Sequence, residues 1–156
     1  NITKIIVVNG PGSFTGIRIG ITIAKVYAWS LKVPITTITS LDSMAVSSKN
    51  DKIKVPVIDA RRGYCYAGIF SKENEVILKP CYITYEKLQE ELNKQKDYKL
   101  ITNDKDKLQL KKATTESYNP DIVKIAETFK NKKGVNPHAI NPDYLKLTEA
   151  EESAML

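Results

Sequence analysis

Cysteine, histidine and arginine are all scarce in this 156-residue chain, and each shortage excludes a class of chemistry. The two cysteines, Cys65 and Cys81, stand at a spacing that matches no zinc or redox motif, so both read as core or half-buried residues. One histidine, His138, in a Pro- and Asn-rich stretch, argues against a metalloenzyme built on several His ligands, and it reads as a satisfied or exposed loop side chain. Long apolar runs are missing too. The longest apolar-rich stretch, Ile17 to Leu31, is interrupted by Arg18, Thr22, Lys25 and Ser30, well short of the roughly 18 unbroken apolar residues of a membrane span. Asn1 to Val8 lacks the basic start, long apolar middle and small-residue cleavage site of a signal peptide. The expectation is a soluble, cytoplasmic protein with no membrane contact.

The shortage of arginine also qualifies the charge. A net charge of +6 invites a nucleic-acid reading. Yet only Arg18, Arg61 and Arg62 are arginines, and base-specific contacts favour arginine forks. The lysines alternate with acids, as in Asn103-Asp104-Lys105-Asp106-Lys107, which reads as a solvated surface. A weak electrostatic role near nucleic acid stays open.

An apolar content of 42 % suffices for one medium domain or two small lobes. Lys4 to Val8 reads as a buried strand stopped by Asn9-Gly10-Pro11-Gly12. A domain rarely opens on a central strand, so the sequence reads as lacking residues before Asn1. A helix over Phe14 to Leu31 follows, capped by Ser13 or Thr15 and shut off by Pro34. Ile35 to Ile38 is a strand, and Ser40 caps a helix over Leu41 to Ser48. Lys49 to Lys52 is a polar turn and the expected lobe boundary, giving lobes of residues 1–52 and 53–156. Lys54 to Asp59 and Tyr64 to Phe70 read as strands joined by a turn in which Gly63 suits positive φ. Glu75 to Leu78 is a third strand. Thr84 caps a helix over Tyr85 to Asn93, with Leu88 and Leu92 one turn apart. Tyr98 to Ile101 is a strand, and Pro120 to Lys130 a helix. Early alternation, then a meander, then helices, predicts a mixed α/β protein of two layers or lobes.

The stretch from Asn9 to Gly20 joins a strand to a helix N-terminus, a junction that can hold an anion. It fits neither a Walker A loop nor G-x-G-x-x-G: Gly16 comes one residue late and no lysine follows the second glycine. The helix says more. Arg18, Thr22, Lys25 and Trp29 fall within about a 60° stripe, and the rest of the circumference is apolar or small. A one-sided surface helix shows a wider polar face, so this helix is expected to be covered on two sides, by its own sheet and by a partner. Gly16, Gly20, Ala24 and Ala28 recur every four positions and form a low ridge. That ridge either packs on the chain's own sheet or admits a partner helix.

Gly10-Pro11-Gly12-Ser13-Phe14-Thr15-Gly16-Ile17-Arg18-Ile19-Gly20 is similar to the signature of the TsaB (YeaZ) family, G-P-G-S-F-T-G-[LVI]-R-I-G. Val57 to Tyr66 resembles the family's I-D-A-R-x-x-[EQ]-V-Y segment, and Pro142-Asp143-Tyr144-Leu145-Lys146 its closing P-x-Y-L-R. The departures are Tyr64 for an acidic or amide residue, Cys65 for a small apolar one and Lys146 for arginine, together with no counterpart of the family's opening A-I-D-T-[SA] strand and following long helix. The resemblance implies a two-lobed, actin-like ATPase (ribonuclease H-like) α/β fold with an incomplete N-terminal lobe. It also implies a non-catalytic subunit with no cofactor and no metal. Such a subunit binds the catalytic protein TsaD and the small ATPase TsaE for threonylcarbamoyl transfer to adenosine 37 of tRNAs reading codons that begin with A. Self-association as a homodimer is a further implication, and tRNA would be met indirectly, through the complex.

The partner-binding residues expected on this ground are Ser13, Phe14, Thr15, Gly16, Ile17, Gly20, Ile21, Ala24, Ala28 and Trp29. Gly16, Gly20 and Ala24 would allow close approach, Ile17, Ile21 and Ala28 would bury apolar area, and Trp29 would anchor the edge. The rival reading is a self-sufficient enzyme of the same fold, an ATPase, sugar kinase or peptidase, with Asp59 as its carboxylate. Against it, Asp59 reads more simply as an Asx residue that orders its own turn, and no Ser/His/Asp set or H-E-x-x-H is present.

Overall fold

The structure, a computed structural model, describes residues 1–111, 113–143 and 145. Two sheets share the helix between them. The first is a parallel pair, β1 (Ile5–Val8) beside β2 (Ile35–Ile38), in register Ile5 to Ile35 through Val8 to Ile38. Parallel strands need a crossover, and α1 (Phe14–Leu31) supplies it. Successive strand residues point to opposite faces. Ile5 and Val7 therefore meet α1, whereas Ile6 and Val8 meet Val46, Ile125 and Phe129 on the other side.

The second sheet has the order β5-β4-β3-β6-β7: β3 (Ile53–Asp59), β4 (Tyr64–Phe70), β5 (Val76–Thr84), β6 (Tyr98–Ile101) and β7 (Thr115–Glu116). The first three form an antiparallel meander, and β6 and β7 join it in parallel. One face packs Val55, Val57, Cys65, Ala67 and Leu100 against Tyr85, Leu88 and Leu92 of α3 (Tyr85–Asn93). On the other, Ile101 packs with Leu41 and Met44 of α2 (Ser40–Ser47). Six of the eight α2 residues are buried, because α2 is wedged between the sheets. A helix covered all round needs its ends satisfied internally, and Thr39 and Asp42 do this with a capping box.

Two expectations are corrected here. The cap of α2 is Thr39, not Ser40, since Thr39 Oγ1 accepts the Asp42 N–H. The third strand runs nine residues to Thr84 rather than stopping at Leu78. Pro80 lies within it, which β5 tolerates as an edge strand with no neighbour beyond it. The chain crosses back to the first sheet, where α4 (Ile122–Phe129) packs on α2 and Val135 bridges Ile35. Ile125 is the reason, its side chain completing the cluster of Ile38 and Val46. The expected Lys146 and Tyr144 of the closing motif lie outside the described residues.

Candidate docking surface on the first helix

The loop ahead of α1 fixes where the helix points. The Gly10–Pro11 peptide is cis, and Gly10 has φ +113°. A Cβ at Gly10 would sit 2.5 Å from the Asp143 carbonyl oxygen, so no larger residue fits there. The loop's polar groups are taken up within the chain. Asn9 N–H donates to Ile38 O at 3.0 Å, Ser40 N–H to Gly10 O at 2.8 Å, Ser40 Oγ to Pro11 O at 2.6 Å, and Asp143 N–H to Asn9 O at 2.8 Å. Two stretches singled out separately in the sequence, the glycine-rich loop and the closing motif, thus meet in space at Asp143. The bonds tie this loop to β2, α2 and the closing segment, which is the work of a clamp rather than of an anion cradle. Ser13 caps α1, its Oγ accepting the Gly16 N–H at 3.3 Å.

The small-residue ridge divides between two environments. Four residues turn an α-helix by about 400°, so each step along the ridge rotates it by about 40°. Gly16 is exposed, and a Cβ there would touch only its own cap, Ser13, at 3.5 Å; a Cβ on Gly20 would meet nothing within 4 Å. Ala24 and Ala28 have rotated inward and are buried with Ile21, Ile35 and Ile140. Three of the expected partner residues, Ile21, Ala24 and Ala28, therefore lie in the chain's own core, and Ile17 packs beside them. Lys25 also departs from the expected polar stripe. It is half-buried, and its Nζ donates to Ile140 O at 3.1 Å, tying α1 to the closing segment.

Much of what remains outside is apolar. Ile19, Ile23, Val26 and Tyr27 are each more than half exposed, and Trp29 is 68 % exposed. Phe14 is 56 % exposed at the start of the helix, with the Arg18 guanidinium 4.3 Å from its ring centroid. With Gly16 and Gly20 alongside Ile19 and Ile23, the outer surface offers both apolar area and room for close backbone approach. Ile19, Ile23, Val26 and Tyr27 were missed in the sequence reading, although their signal was present: stepping by about 100° from Ile21 puts Ile19, Ile23 and Val26 on the side opposite Ala24 and Ala28, with Tyr27 on the flank.

The rival site is fully engaged. Asp59 Oδ2 accepts the Arg61 N–H at 3.2 Å, an Asx-type turn, and Oδ1 accepts the Tyr85 hydroxyl at 2.7 Å. Burial, then that bond, raises the Tyr85 pKa. Arg61, Arg62 and Gly63 all have positive φ in this turn, where only Gly63 was expected to. Cys65 is buried in the core, with its thiol pushed up to about 12 by burial, and Cys81 is half-buried. His138 is exposed.

Comparison with known proteins agrees with this architecture. The family described as "TsaD: tRNA N6-adenosine threonylcarbamoyltransferase" matches residues 1–152. The tRNA threonylcarbamoyladenosine biosynthesis protein TsaB of Bacillus subtilis (strain 168) is 34 % identical over 97 % of this chain and 72 % of its own length. The TsaB protein of Escherichia coli (strain K12) is 38 % identical over 52 % of this chain and 40 % of its own. Among solved structures, YeaZ from Pseudomonas aeruginosa superposes with a TM-score of 0.76 at 20 % identity, over 92 % of this chain and 74 % of that one. An uncharacterized protein with similarity to peptidase YEAZ, from the same organism, gives 0.75 at 18 % identity, over 93 % and 74 %. The mixed α/β architecture is thus the actin-like, ribonuclease H-like fold of these structures, and the chain belongs to the TsaB (YeaZ) family.

Proposed function

We propose that this chain is a non-catalytic subunit in tRNA threonylcarbamoyladenosine biosynthesis, acting in the cytoplasm by docking the outer face of α1 onto a TsaD-like catalytic subunit. The observation that carries this reading is the row Ile19, Ile23, Val26 and Trp29, apolar and more than half exposed beside two outward glycines. Covering the wet half of each such side chain favours association by roughly 1 kcal/mol per residue. TsaE and, through the complex, tRNA are further partners in this reading, and a second copy of the chain competes for the same face. The test is a binding titration of TsaD against the variant Gly20→Leu/Ile23→Glu, which places bulk and charge on the outer face and leaves the core untouched. Unchanged affinity in the folded variant refutes the docking role.

A peptidase reading is suggested by the name of one structural neighbour. It is countered by the engagement of both Asp59 oxygens within their own lobe. Incubation of the purified chain with a casein substrate, and calorimetry with Mg-ATP, test for independent peptidase or ATPase activity; turnover in either favours the enzyme.

A further inference from the structure

A second feature lies away from α1, where the N-terminal end of β3 meets the β4–β5 turn and α4. A cleft of ≈ 570 Å³ is lined there by Lys49, Lys54, Lys72 and Lys124, with Asp51 and Glu73 as its carboxylates. That leaves an excess of two positive charges in one concavity. Lys54 differs from the rest. It is 4 % exposed, in mid-sheet, whereas Lys49, Lys72 and Lys124 are surface residues. Its Nζ donates to Asn74 Oδ1 at 2.7 Å, and Asn74 is held at φ +67° by the turn that begins at Ser71. Among the described residues no carboxylate oxygen comes within 4.0 Å of that ammonium.

Two of the nearby acids have other partners. Glu116 accepts from Ser48 Oγ, the Lys49 N–H and Asn50 Nδ2, and Glu73 pairs with Lys72 at 3.7 Å. Lys124 adds charge of the same sign, its Nζ donating to Ser48 O at 3.4 Å. Burial, and then the Lys124 charge, hold the Lys54 pKa below the ordinary lysine value. A buried cation without a carboxylate carries a desolvation cost that an apolar residue of the same length avoids. A ligand of opposite charge offsets that cost. The excess of two charges matches a phosphate group, which carries about −1.5 to −2 at neutral pH and which lysine binds as a point charge.

We propose that this cleft binds a phosphate-bearing ligand, with Lys54 as the fixed cation at its wall and Lys49, Lys72 and Lys124 closing on the anion from its rim. The site is independent of the docking face of α1, so either reading stands if the other falls. The probe is inorganic pyrophosphate, titrated into the full chain and followed by amide NMR shifts, with sodium chloride at matched ionic strength as the blank. Shifts confined to residues 48–54, 72–74 and 121–128 are expected. Lys54→Met weakens binding at least about tenfold, the loss of one charged hydrogen-bond donor, and Lys94→Gln on α3 leaves it unchanged. Should Lys54→Met fail to fold, the surface double variant Lys72→Gln/Lys124→Gln gives the same readout. Shifts spread over exposed lysines everywhere, or wild-type affinity in these variants, overturn the proposal. A short single-stranded RNA distinguishes the source. RNA shifts at the same residues, reversed by pyrophosphate, assign the site to a nucleic-acid backbone; pyrophosphate binding without RNA binding assigns it to a free phosphate compound.

Discussion

Helices α1 and α3 each cover one face of a sheet, and they treat water oppositely. On α3, Tyr85, Leu88 and Leu92 face the core, while Glu86, Lys87 and Glu90 are exposed. That is a complete amphipathic helix, with nothing left to bury. On α1, Ile21, Ala24 and Ala28 face the core, yet Ile19, Ile23, Val26 and Tyr27 face outward. A helix that covers one face of a sheet needs no second apolar side, so the outer residues of α1 are not explained by the stability of this chain alone. The comparison teaches that an unpartnered face is recognised by what opposes the buried stripe, and not by total hydrophobicity.

The sharpest way to break the comparison is to remove one buried and one outward side chain. Leu88→Ala on α3 should lose about 2–5 kcal/mol of unfolding free energy in urea, as a fully buried leucine does. Ile23→Ala on α1 should lose less than about 1 kcal/mol in the same assay. Equal losses would mean that the outer face of α1 is already packed. Next in size is Gly20→Leu/Ile23→Glu, which should weaken TsaD binding by at least about tenfold while the melting temperature barely moves. Smaller still, the caps should be equivalent: Ser13→Ala and Thr84→Ala each remove a side-chain oxygen that accepts a first-turn N–H, costing about 1 kcal/mol in thermal unfolding.

The smallest effect is on pH and concerns neither helix, which makes it a control. Burial pushes the Glu116 carboxyl up, but bonds from Asn50, the Lys49 N–H and Ser48 outweigh it and leave its pKa below the ordinary value of 4.5. A depressed folded pKa contributes stability that is complete above about pH 4.5 and is lost as pH falls through the folded value. Glu116→Gln should therefore be less stable than the parent at pH 7 and should flatten the acid limb of a stability-against-pH curve. A parallel acid limb for the two proteins would contradict this.

Local signals in the sequence were sufficient for most elements. The bounds Phe14–Leu31 and Tyr85–Asn93 follow from Ser13 and Thr84 as caps and from periodic apolar residues between them, all within one helix. What was hidden is non-local. Nothing near Pro80 reveals that β5 is an edge, because that depends on strand order. Nothing near Ile125 reveals that α4 returns to the first sheet. Lys54 reads only as the start of a strand, and its burial against the turn at Asn74 depends on residues twenty positions away. The apolar outer face of α1 was half legible. The sequence reading took the glycines and alanines as one ridge; where that ridge turns inward is set by Ile5, Val7 and Ile140, residues distant in the chain.

The hold of Asp143 on Asn9, and of Ile140 on Lys25, spans most of the polypeptide. A chain still emerging from the ribosome has no residue 143 to offer, so its first helix lacks the strap that sets its angle. The angle of the first helix is then fixed only late in synthesis.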